Sequence, residues 1–308
     1  MELRQLTYAV AVAELSSFTR AAERCFVVQS ALSHQIARLE QELGARLFHR
    51  TSRQVRLTPA GEAFLPAARQ CLAAAERARA EVAAATGEVR GRLSVGVIPT
   101  VAALDVPAAL HAFHDRHPQV RISLIMAGSD DLIDKVATGV LDVAFLGLPA
   151  ETTVTGVQDH VLAHDHLVVV VAPTHPLSTA TKLRLRRLAN EVFVDFPAGT
   201  QGRAQTDQAF SAAGLSRDVA FEVTDAQLMT RLIREKLGIG MLASTFATQL
   251  TGVVTIPVAD APTRAEHLIW SRDGPSPAAT VFLEQVGITL SQREGTCPAA
   301  GPQPTQRT

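Results

Sequence analysis

Apolar residues recur at helical spacing in the first ninety positions and form strand-like runs afterwards. Residues 18–26 have apolar side chains three and four positions apart, which is typical of a short amphipathic helix. Residues 29–43 repeat the pattern, with Leu32, Ile36, Leu39 and Leu43 on the face that we expect to be buried. Gly44 is expected to end this second helix, since glycine adopts a positive φ at little cost.

The polar face of the second predicted helix begins with short, uncharged side chains. They are Gln29, Ser30, Ser33, His34 and Gln35. Such groups both donate and accept hydrogen bonds, as base edges do in the major groove of DNA. An ordinary surface helix of an α-rich domain would show a similar pattern, so this segment alone leaves both interpretations open.

The segment after this helix indicates a short hairpin with a cationic tip. Its apolar anchors are Leu47, Phe48, Val55 and Leu57, and its cations are Arg46, Arg50, Arg53 and Arg56. A hairpin of this kind can lie along phosphates or enter a minor groove. No lysine occurs in the first ninety residues, and arginine is the better residue for two-point phosphate and guanine contacts.

Residues 1–90 resemble the amino-terminal module of the LysR-type transcriptional regulators. The resemblance is carried by residues 18–62, with the phrases ALSHQI, LEQELG, LFHRT and LTPAGE. It implies that Gln29, Ser30, Ser33 and His34 face bases or the adjoining backbone, and that Arg50, Thr51 and Arg53 serve the hairpin, or wing.

Three positions depart from the family pattern. Val28 stands where the family commonly has serine, Ser30 where it has proline, and His34 where it often has arginine. Because valine cannot cap a helix, we expect the helix to start at Ser30, capped by that hydroxyl. The histidine removes one fixed positive charge from the DNA-facing side.

A long helix is predicted next. Thr58 and Pro59 form a helix start, Gly87 ends the run, and the helix would be about 28 residues and about 42 Å long. Its apolar stripe consists of Phe64, Leu65, Ala68, Cys71, Leu72, Ala75, Ala78 and Val82. Such a stripe fits a partner helix in a dimer, with packing against the chain's own second half as the alternative. The family resemblance implies a tetramer of two dimers.

Strands and helices alternate in the second half, which predicts a parallel sheet with crossover helices. The predicted strands are residues 93–97, 120–126, 141–146, 167–172, 192–196, 219–223, 240–243, 253–256 and 267–270. The predicted helices are residues 101–116, a helix after Gly128, and residues 201–213, 226–237 and 278–290.

This half resembles the effector-binding domain of the same regulators, which is built like a two-lobed periplasmic binding protein. The phrases are RLSVGVIPT, FHDRHPQV, LDVAFLG, VVAPTHPL and EKLGIGMLA. We therefore expect a winged helix-turn-helix domain at 1–58, a linker helix at 59–88 and an effector domain at 89–290. Lobe I is expected at about 89–161 and 266–290, lobe II at about 162–265, and a disordered tail at 291–308.

Ligands of open α/β sheets lie beyond the carboxyl ends of the strands, near helix amino-termini. The candidate effector contacts at such positions are Thr100, Ser129, Gly147, Thr200, Arg203 and Thr224. Hydroxyls and free backbone N–H groups favour a small anion, so we expect an unidentified small organic acid as the effector and no cofactor. Plain helix capping is the alternative role for each of these residues.

Charge and composition limit the function further. Residues 1–58 contain eight arginines and five acids, whereas residues 91–308 contain seventeen cations and twenty-one acids. A basic amino-terminal domain, here called the head (residues 1–58), on an otherwise acidic chain is typical of a protein that binds nucleic acid at one end. No apolar run long enough for a membrane span and no signal peptide are found, so a cytoplasmic protein is expected.

Other site chemistries have weaker support. Cys25, Cys71 and Cys297 lack metal or disulfide spacing, and Cys25 and Cys71 are expected in the core. His164 and His166 could form a metal pair, but no third ligand is evident and a surface or hinge role fits better. No catalytic motif is found, which disfavours an enzyme, and an exported solute-binding protein would need a signal peptide.

The sequence therefore predicts a DNA-binding transcriptional regulator controlled by a small molecule held between two α/β lobes. Two copies of the head would read the half-sites of an interrupted palindrome in double-stranded DNA. RNA polymerase is a candidate partner.

Overall fold

The computed structural model describes residues 1–50, 54–85 and 87–290, so the predicted tail at 291–308 lies outside the described residues. The first half consists of α1 (Leu3–Leu15), α2 (Phe18–Arg24), α3 (Gln29–Leu43), the hairpin of β1 (Phe48–Arg50) and β2 (Val55–Leu57), and α4 (Pro59–Ala85). The three short helices pack around one apolar core, where the rings of Phe18 and Phe48 meet edge to face at 5.8 Å. This core fixes α3 and the hairpin relative to each other.

Helix α4 begins as predicted. The hydroxyl of Thr58 accepts a hydrogen bond from the Gly61 N–H at 3.0 Å and donates one to the Arg46 carbonyl at 2.6 Å. A Cβ on Gly61 would lie 2.2 Å from the Leu47 carbonyl oxygen, so only glycine allows this close approach of helix and hairpin.

The stripe of α4 is only partly covered within one chain. Ala68 is buried with Leu6 and Val10 of α1, and α4 also contacts the second half of the chain. Val82 is 70% exposed. Cys71 is exposed and Cys25 is half-buried, so the expectation that both lie in the core is wrong for Cys71 in the single chain.

The second half contains nine strands and seven helices in the described residues. The strands are β3 (Gly91–Val97), β4 (Val120–Met126), β5 (Val143–Pro149), β6 (Val157–Val171), β7 (Val192–Asp195), β8 (Asp218–Glu222), β9 (Gly240–Ala243), β10 (Val254–Pro257) and β11 (Thr263–Ser271). The helices are α5 (Val106–Arg116), α6 (Ser129–Ala137), α7 (Leu185–Leu188), α8 (Gln201–Ala212), α9 (Ala226–Arg234), α10 (Ser244–Ala247) and α11 (Pro277–Gln285).

The first three strands of this half are parallel, as predicted. β3 lies between β4 and β5 and pairs in parallel with both. β11 returns to this group and pairs antiparallel with β5, which makes the sheet mixed. Its core brings Phe113 of α5 against Phe282 of α11, with ring centroids 5.7 Å apart.

The long strand β6 connects two groups of strands. It pairs with β11 as far as His166, and with β9 and β10 from Leu167 and Val168 onward. The prediction contained only the second of these parts, because the first is largely exposed and lacks an apolar run. Asp165 lies at the change of partner, where it accepts hydrogen bonds from the Ser244 hydroxyl and from the Thr245 N–H at 3.0 Å.

Lobe II has its own core between the carboxyl half of β6 and the parallel pair of β7 and β8. A parallel bridge between Phe193 and Ile239 joins β7 to the segment before β9. The four-residue helices α7 and α10 were not predicted, since one helical turn has no readable periodicity.

Several predicted helix ends are corrected by local geometry. The helix predicted from residue 101 starts at Val106, because the Asp105 carboxylate caps it by accepting the Ala108 N–H at 3.0 Å. The helix predicted to residue 237 ends at Arg234, and Lys236 then adopts φ 65°. The helix predicted to residue 290 ends at Gln285.

Candidate functional site

Helix α3 has the buried back that the sequence predicts. Leu32, Ile36 and Leu39 are fully buried against the head core, and Gly44 ends the helix with φ 66°. Leu43, which was expected on the same face, is exposed. The last turn of α3 therefore extends past the core that holds its first three turns.

The expectation that α3 starts at Ser30 is wrong. The helix begins at Gln29, and Val28 occupies the N-cap with extended backbone and no side-chain hydrogen bond. The start is fixed by backbone bonds from Ala31 N and Leu32 N to the Val28 carbonyl, at 3.1 and 3.2 Å. The turn thus forms at Val28 even though its side chain caps nothing.

The leading face of α3 is open to solvent. Gln29, Ser30 and His34 are exposed, and Ser33 is half-buried. All four stay candidate DNA contacts, since the amino-terminal residues of a recognition helix are those that meet base edges. The face is neutral in its first turn, as the sequence suggested.

Two apolar side chains beside this face were missed by the sequence analysis. Phe26 is 95% exposed and Val28 is 68% exposed. Phe26 also has φ 55°, a left-handed conformation that costs a non-glycine residue on the order of 1 kcal/mol. The sequence analysis placed Phe26 at the end of the helix predicted over residues 18–26, but α2 ends at Arg24, and Phe26 lies in the connection to α3.

The hairpin next to α3 is antiparallel, with Phe48 opposite Leu57 and Arg50 opposite Val55. One carboxylate oxygen of Glu40, on α3, accepts hydrogen bonds from Leu47 N at 2.8 Å and Phe48 N at 3.2 Å. The wing is thereby attached to the recognition helix. Thr51 and Arg53 lie outside the described residues, as does the side chain of Arg50.

The second candidate site is a cleft of about 480 Å³ between the two groups of strands. Five of the six residues that the sequence places at an effector site line it: Thr100, Ser129, Gly147, Thr200 and Thr224. They come from the ends of separate strands and the starts of α6 and α8. The predicted arrangement of strand ends therefore holds for these five, while their part in binding stays a prediction.

Some of these hydroxyls also cap or brace the fold. Thr200 accepts the Arg203 N–H at 3.4 Å as the N-cap of α8. Ser129 accepts the Gly147 N–H at 3.2 Å and donates to the Gly147 carbonyl at 3.3 Å. The alternative role of capping is thus present for Thr200 in addition to its place at the cleft.

Arg203 does not line the cleft. Its guanidinium bonds to the carboxylates of Asp207 and Glu222 at 2.9 Å each. Burial lowers the pKa of Arg203, but the hydrogen bonds that it donates to Glu222 and Asp207 outweigh this effect and raise the pKa. Its donors are committed to these acids, so the structure does not agree with the predicted effector contact.

The arginine that does line the cleft is Arg264, at the start of β11. It is 5% exposed, and its Nη1 donates to the Thr100 hydroxyl at 3.3 Å. The sequence analysis missed it, because the strand predicted at residues 267–270 left out the first residues of β11, which begins at Thr263.

Metal binding has no structural support at the pair His164 and His166. Among the residues that the structure describes, no three His, Cys, Asp or Glu side chains are grouped to hold a metal ion. Burial raises the pKa of Asp165, between them, but the hydrogen bonds from Ser244, Thr245 and His166 lower it overall. Asp165 therefore holds the start of α10 against β6 through these hydrogen bonds.

Within residues 1–50, 54–85 and 87–290, no helix has the length and apolar content to cross a membrane.

Comparisons with known proteins match both halves of the chain to one family. Residues 3–62 match the family model of bacterial regulatory helix-turn-helix proteins of the LysR family, and residues 86–290 match the LysR substrate binding domain. The chain is 34% identical over 253 residues to the regulator ShiR of Corynebacterium glutamicum, covering 81% of this chain and 84% of ShiR. It is 33% identical over 260 residues to the dual regulator GltC of Bacillus subtilis, covering 84% of this chain and 86% of GltC.

Solved structures of transcriptional regulators are also similar to this chain. Full-length CbnR in complex with its target DNA has a TM-score of 0.68 and 27% identity, covering 93% of this chain and 99% of CbnR. A variant of full-length OxyR from Pseudomonas aeruginosa has a TM-score of 0.70 and 26% identity, covering 93% of this chain and 94% of the OxyR chain.

Proposed function

Because this chain belongs to the LysR family of transcriptional regulators, which bind DNA and respond to effectors, we propose that a small organic acid in the cleft controls how a tetramer of this protein binds and bends DNA. The observation that carries the proposal is the exposed polar start of α3, backed by a buried apolar face and flanked by an arginine-containing hairpin. This arrangement suits insertion into a major groove.

The proposed DNA contacts divide into two kinds. Gln29, Ser30, Ser33 and His34 would read base edges or the adjoining backbone, and Arg50, Thr51 and Arg53 would contact phosphates or the minor groove. Contacts to bases specify the sequence, whereas contacts to phosphates fix position and strengthen binding to any sequence. The head has a net charge of only +3, so two or more heads must act together for useful affinity.

Two incompletely covered apolar surfaces support a tetramer. The first is the stripe of α4, where Val82 is 70% exposed. The second is β4, which lies at the end of the strand order and exposes Leu124 and Met126. A two-fold pairing of α4 would form a dimer, and an exposed edge strand with apolar side chains is a natural second interface.

The effector would act through the contacts between the two lobes. The Gln201 side-chain amide, on α8, donates to Asp130 on α6 at 2.9 Å across the cleft. Gln205 donates to the Gly147 carbonyl at 3.4 Å. A ligand seated among these residues would change the relative position of the lobes, and through the oligomer the spacing of the heads. Contact with RNA polymerase stays a prediction.

The test is a footprint on the DNA directly upstream of the protein's own gene, with and without a panel of small organic acids. Protection that falls with salt and that shifts or contracts with one acid is expected. Replacing Arg53 should weaken binding to all sequences, whereas replacing Gln29 or Ser33 should also relax base preference. Absence of protection at low salt would contradict the proposal.

A further inference from the structure

Arg264 carries two buried guanidinium nitrogens, Nε and Nη2, that have no hydrogen-bond partner in the described part of the chain. Its third nitrogen, Nη1, is used by Thr100. Burial lowers the pKa of Arg264, against the opposing effect of the Glu266 and Asp165 carboxylates, but arginine stays protonated at neutral pH. A buried cation with unused donors is costly, so this position favours the binding of an anion.

The neighbouring acid does not fill this role. Glu266 is buried, and its nearer oxygen lies 3.8 Å from Nη2, beyond hydrogen-bonding distance. Its other oxygen accepts hydrogen bonds from Ala102 N at 3.0 Å and Ala103 N at 2.9 Å. These two amides hold the carboxylate in place, and Glu266 balances the charge of Arg264 without satisfying its donors.

The two unused nitrogens lie on one edge of the planar guanidinium, which matches the two oxygens of a carboxylate. The group also passes close to the backbone at the carboxyl end of β5. A Cβ on Gly147 would lie 1.9 Å from Nη2, so the glycine leaves the space that the guanidinium occupies. The starts of α6 and α8 line the same cleft and add amide dipoles that favour negative charge.

Most of the remaining cleft is apolar. The apolar residues that line it include Ile98, Leu167, Phe196 and Met241. Asp225 also lines the cleft, and Asp130 is bonded to the lining residue Gln201. These two carboxylates disfavour a second negative group on the ligand, while the apolar walls favour a compact hydrocarbon body.

We propose that Arg264 binds the carboxylate of a monoanionic effector with an apolar body, by a two-point contact from Nε and Nη2. The inference rests on the proposed function, because it names the chemistry of the effector in the same cleft. It also assigns the anchoring arginine to the start of β11 and not to Arg203 of α8.

The test is calorimetric titration of the full-length protein with phenylacetate and isovalerate, each compared with its neutral amide. At least one carboxylate should bind and its amide should not. Arg264→Gln should weaken binding on the order of 30-fold or more, since a buried charged partner is lost. Arg264→Lys should recover part of the lost affinity, because lysine keeps the positive charge but cannot make the two-point contact of a guanidinium. Arg187→Gln, which removes an exposed arginine of lobe II, should bind as the wild type does.

Several results would overturn the inference. They are failure of both carboxylates to bind the wild-type protein, equal affinity of Arg264→Gln, equal binding of the amides, or tighter binding of succinate or phenyl phosphate. If Arg264→Gln fails to fold, Arg264→Lys decides the matter. Salt-dependent DNA binding by the same wild-type preparation separates the two proposals: lost carboxylate binding with intact DNA binding contradicts only this inference, and absent DNA binding contradicts the proposed function.

Discussion

The DNA-reading head and the effector cleft are assembled from the chain in opposite ways. The candidate DNA contacts lie within residues 29–53, and those that the structure describes belong to α3 and β1. The cleft residues run from Ile98 to Arg264 and come from both lobes. A site made from one continuous segment depends on how that segment is held, whereas a dispersed site depends on long-range strand pairing.

Gly61→Ala should have the largest effect and should be confined to the head. The new methyl would lie 2.2 Å from the Leu47 carbonyl oxygen, and a backbone atom cannot move away easily. Overpacking of this kind costs about 3 kcal/mol, more than the roughly 1 kcal/mol that alanine gains over glycine in a helix. We expect lost DNA binding in a mobility-shift assay, with ligand binding in the cleft retained.

Gly147→Ala should impair the effector cleft and leave the head unaffected, with a smaller loss of stability than Gly61→Ala. Its methyl would lie 1.9 Å from Arg264 Nη2 and 2.8 Å from Ile98 Cδ1, and side-chain ends can move aside. We expect about 2 kcal/mol of destabilisation in urea unfolding and a lost effector response, with DNA binding intact. Gly128→Ala is the control, since it lies at the same cleft and its methyl would contact nothing within 4 Å. Equal effects of both changes would mean that Arg264 is not displaced.

The contrast also explains which parts the sequence could predict. The bounds of β4 and β9 and the end of α3 agree with the prediction, because apolar runs, helical spacing and a flanking glycine are local signals. The first half of β6 was missed, because its exposed residues form a strand only by pairing with β11. Arg264 was missed for the same reason: nothing near it in sequence shows that it reaches the ends of the parallel strands. Arg203 follows a strand end, as the rule required, but nearby acids engage its donors.

The attachment of the wing to α3 gives the next prediction. Glu40→Ala would leave the amides of Leu47 and Phe48 without their shared acceptor, at a cost of about 1.5 kcal/mol. Because the wing would lose its fixed position, we expect weaker binding to all DNA sequences in salt titrations, with unchanged base preference. Glu42→Ala is the control, since this exposed side chain pairs only with the amino-terminus in the described residues. A change in base preference would place the effect on the recognition face instead.

The smallest effect should come from restoring a cap to the recognition helix. Val28 already has the extended backbone of an N-cap, with φ −73° and ψ 144°, but its side chain accepts no hydrogen bond. In Val28→Ser the hydroxyl can accept the Ala31 N–H, which should raise the free energy of unfolding by about 1 kcal/mol. Val28→Ala is the reference, because it removes the exposed methyl groups without adding an acceptor, so the difference between the two variants reports the cap alone. If both have the same urea midpoint, the start of α3 is held by its backbone bonds and its burial, and a side-chain cap adds nothing at this position.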